Sequence, residues 1–107
     1  MTREEVLTIY EEAVAMAGLE RKGKTMPYTS SNGHMFSLIN KANELGIRLS
    51  KEDTSKFDSK YGALPFISYG ATMREYVLIP KELLLQKEEL RDYLKKGFRF
   101  VNSKPPK

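Results

Sequence analysis

The chain has 107 residues, no cysteine, one histidine and a formal net charge of +4. That length suits a single domain with its own core. The lack of cysteine excludes disulfide frameworks, thiolate zinc sites and cysteine nucleophiles. No apolar run approaches the ~20 residues of a membrane span, and the polar, acidic start is not that of a signal peptide, so a cytoplasmic protein with no membrane partner is expected. The charge is uneven: residues 94–107 carry Lys95, Lys96, Arg99, Lys104 and Lys107 with no acid, leaving the rest of the chain at −1.

Thr2 and Glu5 form a capping-box pair at the start of the first helix. Val6, Ile9, Tyr10, Ala13 and Met16 or Ala17 then recur at helical spacing, and Gly18 or Gly23 ends the element. Tyr28-Thr29-Ser30 and Met35-Phe36-Ser37-Leu38-Ile39 are β-prone runs joined through Asn32-Gly33, the pair that a type I′ hairpin turn favours. A second turn at Ala42-Asn43-Glu44 leads to Leu45, Ile47 and Leu49, which alternate with Gly46 and Arg48 as in a strand with one buried face.

Ser50, with Asp53 in the reciprocal capping position, opens a short helix that carries Phe57 and Tyr61 on one face and closes at Gly62. Phe66 to Gly70 reads as an irregular or edge segment, because Pro65 cannot donate to a sheet ladder. Arg74 to Ile79 is a strand stopped by Pro80, which pre-sets a short helical turn over Lys81 to Leu85. The last helix carries Leu90, Leu94, Phe98 and Val101, with Tyr93 and Phe100 widening the stripe; Gly97 within it allows close packing or a bend. Residues 1–103 are therefore read as one α+β domain of order α-βββ-α-ββ-α, with helices packed against a mainly antiparallel sheet. Residues 104–107 are read as a disordered basic tail.

Few residues point to chemistry. His34 needs an orienting partner and a substrate group to act as a general base, and its place after a turn is that of a strand-start residue. Glu52-Asp53 with Asp58 lacks the spacing of a calcium loop, the glycines are scattered singly, and no serine sits in a nucleophile elbow. No catalytic residue, metal or cofactor is expected. An unrecognised small-molecule site would draw on Tyr28, His34 and Tyr76. Tyr28, Phe36, Tyr69 and Tyr76 near Arg48 and Arg74 would make a stacking platform if they shared one open sheet surface, although strand aromatics are more often core partners.

The stretches Gly23-Lys24-Thr25-Met26-Pro27-Tyr28-Thr29, Asn32-Gly33-His34-Met35-Phe36-Ser37 and Gly46-Ile47-Arg48-Leu49, with Tyr76-Val77 and the Pro80-led helix, resemble the TfoX N-terminal-domain-like proteins and the wider YjbR-like group of small bacterial proteins. The resemblance covers nearly the whole chain. It implies a fold like that of the type III secretion chaperones and a regulatory or DNA-binding role, and it supplies no catalytic residues. Two functional expectations follow. One is a non-catalytic regulatory module whose sheet surface engages a protein partner or a second copy. The other is nucleic-acid binding through Lys95, Lys96, Arg99 and Arg48.

Overall fold

A computed structural model describes residues 1–107. The element order is α1 (Arg3–Met16), β1 (Tyr28–Ser31), β2 (His34–Ile39), β3 (Leu45–Arg48), α2 (Lys51–Tyr61), β4 (Pro65–Ser68), β5 (Ala71–Leu78), α3 (Lys81–Leu84) and α4 (Lys87–Asn102). The strands form one antiparallel sheet in the order β1-β2-β3-β5-β4. This is the α+β arrangement expected from the sequence.

Local chemistry sets most of the boundaries. The Thr2–Glu5 capping box is closed in both directions, with the Glu5 N–H donating to Thr2 Oγ1 (3.1 Å) and the Thr2 N–H to Glu5 Oε1 (2.9 Å). At α2 only half of the expected pair forms: Ser50 Oγ accepts the Asp53 N–H at 3.1 Å, and the Asp53 side chain does not return the bond. Asn32 (φ 58°) and Gly33 (φ 78°) make the tight turn between β1 and β2.

A second turn of the same kind was not expected. Tyr69 (φ 55°) and Gly70 (φ 72°) join Ser68 to Ala71, so β4 and β5 form a hairpin, and β5 starts three residues before Arg74. Positive φ on a bulky tyrosine is unfavourable, which is why the dipeptide does not announce itself as a turn. β4 is the edge strand that Pro65 implied, with proline at its first position.

Helices cover one face of the sheet only. Ile39, Leu45, Ile47 and Val77 from the strands, with Leu49 and Ile79 just past the ends of β3 and β5, meet Val6, Tyr10, Ala13, Val14, Phe57, Leu83, Leu90, Tyr93 and Leu94 in one buried cluster. Gly97 is the close-packing point: a Cβ there would stand 2.9 Å from the Arg48 carbonyl oxygen and 3.1 Å from the Phe36 ring. Phe36 reaches this face through a bulge, since Thr29 pairs with Ser37 and Ser30 with Met35, leaving Phe36 as the extra residue. It packs edge-on against Phe98, which is why Phe98 lies at the margin of the α4 stripe. Tyr10 shares a hydrogen bond with Ser37 (2.6 Å), and Ser37 with Thr29, so three buried hydroxyls satisfy one another and pin α1 to the β1–β2 hairpin. Burial pushes the Tyr10 phenol up to about 12, against the lowering effect of those two hydrogen bonds.

Residues 104–107 lie against the β1–β2 turn. Asn32 Nδ2 donates to the carbonyls of Val101 (3.0 Å) and Lys104 (2.8 Å), so the turn side chain caps the end of α4. The Lys107 N–H donates to the Asn32 carbonyl at 3.2 Å, and His34 Nε2 lies 3.0 Å from the Pro105 carbonyl oxygen. The tail is held across the β1–β2 turn by the side chains of Asn32 and His34 and by one backbone hydrogen bond, contacts that sequence composition does not encode.

Candidate interaction face

The other sheet face receives no helix. Leu38, Phe66 and Tyr76 form a small cluster there, bordered by the half-buried Met26, Tyr28, Met35, Met73 and Leu78. All eight come from strands or from the segment before β1. The β4–β5 hairpin curls onto this face. The pairing is regular at Ser68↔Ala71 and Ile67↔Thr72 but then shifts, so that Pro65 meets Val77 and four β5 residues stand against Phe66. Phe66 stacks on Tyr76 at 5.8 Å and lies over Gly46 of β3, where any Cβ would collide with its ring. Gly46 is thus the seat of an aromatic ring, a role its place in an alternating strand did not reveal.

Tyr76 donates its hydroxyl to the Met35 carbonyl at 2.8 Å, and burial raises its pKa well above the ordinary tyrosine value. Tyr28 packs beside it on the same cluster. His34 is turned instead to the tail, at Pro105, and none of the five principal cavities is lined by Tyr28 or His34. The three residues proposed for a small-molecule site therefore do not converge. The aromatic platform is also divided, with Tyr28 and Tyr76 on the open face, Phe36 on the covered one, and Tyr69 exposed at the β4–β5 turn.

Of the four cations proposed for nucleic acid, Arg48 and Lys96 are engaged within the fold. Arg48 donates from Nε (2.9 Å) and Nη2 (2.6 Å) to Glu75 Oε1, and Lys104 Nζ lies 3.6 Å from the same oxygen. Burial opposes the Glu75 charge, but the Arg48 hydrogen bonds and charge, reinforced by Lys104, hold its pKa below the ordinary value. Glu75 takes a positive φ of 70°, and its carbonyl accepts the Leu49 N–H at 2.9 Å, so the strand is distorted where this ion pair forms. The Arg48 guanidinium also lies 5.8 Å from the Phe100 ring centroid. Lys96 sits over the Tyr93 ring at 4.7 Å. Only Lys95 and Arg99 are exposed without an ion pair on α4.

No group of three or more His, Asp or Glu side chains is placed to hold a metal ion, and no helix is long and apolar enough to cross a membrane. No protein-family model matches this chain, and no curated protein matches it.

Proposed function

We propose that this chain is a non-catalytic regulatory module, of the TfoX N-terminal-like kind, whose helix-free sheet face engages a protein partner. The observation that supports it is the make-up of that face. Three methionines and a tyrosine border its small aromatic cluster, all half-buried. Methionine is flexible and polarizable, so such a surface repacks readily against a second protein. Pairing through the β4 edge is the less favourable route, because Pro65 opens that strand and Asn40 Nδ2 already binds the Ile67 carbonyl at 2.7 Å.

The test compares the parent chain with Met35→Glu/Met73→Glu as bait, using Lys95→Gln/Arg99→Gln as the charge-matched control. The proposal predicts that proteins captured by the parent and by the control are lost with the methionine variant. Retention of the same set by all three baits, together with a strictly monomeric parent in light scattering across dilution, overturns it.

A second reading, nucleic-acid binding, is favoured by one observation, the exposed and unpaired Lys95 and Arg99 four residues apart on α4. It predicts DNA affinity that falls steeply with salt and is lost in Lys95→Glu/Arg99→Glu. Salt-independent or unchanged binding would remove it.

A further inference from the structure

The β1–β2 turn holds a residue pair with chemistry of its own. An asparagine side-chain carbonyl is open to attack by the backbone nitrogen of the residue that follows it. The reaction is easiest where that residue is glycine, because no Cβ hinders the approach. Asn32-Gly33 is the one Asn-Gly pair in the chain. Gly33 is exposed and its N–H takes part in no backbone hydrogen bond, so the attacking atom is free.

The atom under attack is held. Both hydrogens of the Asn32 amide are used, on the carbonyls of Val101 (3.0 Å) and Lys104 (2.8 Å). The Asn32 carbonyl accepts the Lys107 N–H at 3.2 Å, which fixes the peptide group between Asn32 and Gly33. Residue 107 also lies directly over Gly33: a Cβ on that glycine would stand 2.8 Å from Lys107 Cβ and 2.9 Å from the Lys107 carbonyl oxygen. Ring closure needs the Asn32 side chain to swing off the end of α4 and its peptide group to rotate, and residues 104–107 oppose both movements. Asn102 Nδ2 donates to Ser31 Oγ at 3.0 Å, so the hairpin keeps a hold on α4 when those residues leave.

We infer that Asn32 is a deamidation site gated by residues 104–107. With those residues lifted off the turn, the Gly33 nitrogen attacks Asn32 Cγ. The N–Cγ bond forms, the Cγ–Nδ2 bond breaks, and the proton from Gly33 leaves with the amide nitrogen as ammonia. Water then opens the cyclic imide at either carbonyl, leaving aspartate or isoaspartate at position 32 with no change of oxidation state. The product holds the gate open. A carboxylate has no hydrogen to give the Val101 and Lys104 carbonyls, and its charge sits at the negative end of α4. The inference does not depend on the protein-binding proposal, since the chemistry is confined to one turn.

The test follows deamidation at one mildly alkaline pH by intact mass and peptide mapping. It compares the folded parent, the parent unfolded in urea, a chain ending at Ser103, and Lys107→Pro, which lacks the N–H donor. Position 32 should react at least about tenfold more slowly in the folded parent than in the unfolded chain. Removal of residues 104–107 should recover most of that factor, since two hydrogen bonds of ordinary strength correspond to about tenfold in rate. Lys107→Pro should fall between. Asn32→Asp, whose Asp-Gly pair suits the same turn, should keep the native amide spectrum elsewhere while hydrogen exchange at Lys107 becomes fast. Equal rates in the parent and the shortened chain, a folded parent that reacts at the unfolded rate, or a protected Lys107 amide in Asn32→Asp overturns the inference.

Discussion

On the helix-covered face the sheet presents Ile39, Leu45, Ile47, Val77 and Ile79; on the opposite face neighbouring positions of the same strands present Met35, Leu38, Gly46, Tyr76 and Leu78. The first set is branched, nearly free of polar atoms and enclosed by four helices. The second is flexible or aromatic, anchored by hydrogen bonds such as Tyr76 to Met35, and roofed only by a curled hairpin and a loop. Both faces bury residues, but only the first has the stiff complementarity of a finished core. A face that settles for flexible side chains gains adaptability where it loses rigidity, which is why the proposed partner is placed there.

Substitutions should separate the two faces by size of effect. Leu94→Ala, which opens a hole in the covered core, is expected to cost about 2–5 kcal/mol in urea unfolding. Ser37→Ala, on the same side, leaves the Tyr10 and Thr29 hydroxyls without their shared partner and should cost about 1–3 kcal/mol. On the open face Met73→Ala should cost about 1 kcal/mol or less, because the side chain is only half-buried. A loss comparable to that of Leu94→Ala would show the open face to be a finished core after all.

Acid titration sharpens the comparison further. Glu75 and Glu89 both have lowered pKa values in the fold: burial opposes each charge, but Arg48 with Lys104 prevails at the first, and Lys60 with Tyr61 at the second. A depressed carboxylate pKa contributes stability that is complete above the unfolded value and lost as pH falls through the folded one. Urea midpoints should therefore decline from about pH 5 downward, and Arg48→Met should flatten the part belonging to Glu75. The smallest effect is expected from Lys95→Glu/Arg99→Glu, within about 0.5 kcal/mol of the parent, since neither side chain is paired.

What was legible in the sequence was whatever depends on neighbours in the chain. The Thr2–Glu5 box, the Asn32-Gly33 turn, the alternation of Leu45, Ile47 and Leu49, and the edge character of Pro65 all rest on a few consecutive residues. Those features are enough to derive the element order. The rest of the sheet is set by an unusual turn and by contacts between distant residues. Tyr69-Gly70 turns the chain with a tyrosine in a left-handed conformation, Phe36 changes face through a bulge, and Phe66 needs Gly46 two strands away. The course of the tail is set in the same way, since its contacts are to the side chain and carbonyl of a turn residue some seventy positions earlier. Arg48 looked like a free cation because nothing in the local pattern showed that Glu75 would be brought to it.

The most direct measurement is photo-crosslinking in cells from single p-benzoylphenylalanine replacements, one at Met73 on the open face and one at Lys95 on the outer side of α4. The account predicts a discrete protein adduct from position 73 and none from position 95. Adducts from position 95 alone would contradict it and place the working surface on the helices.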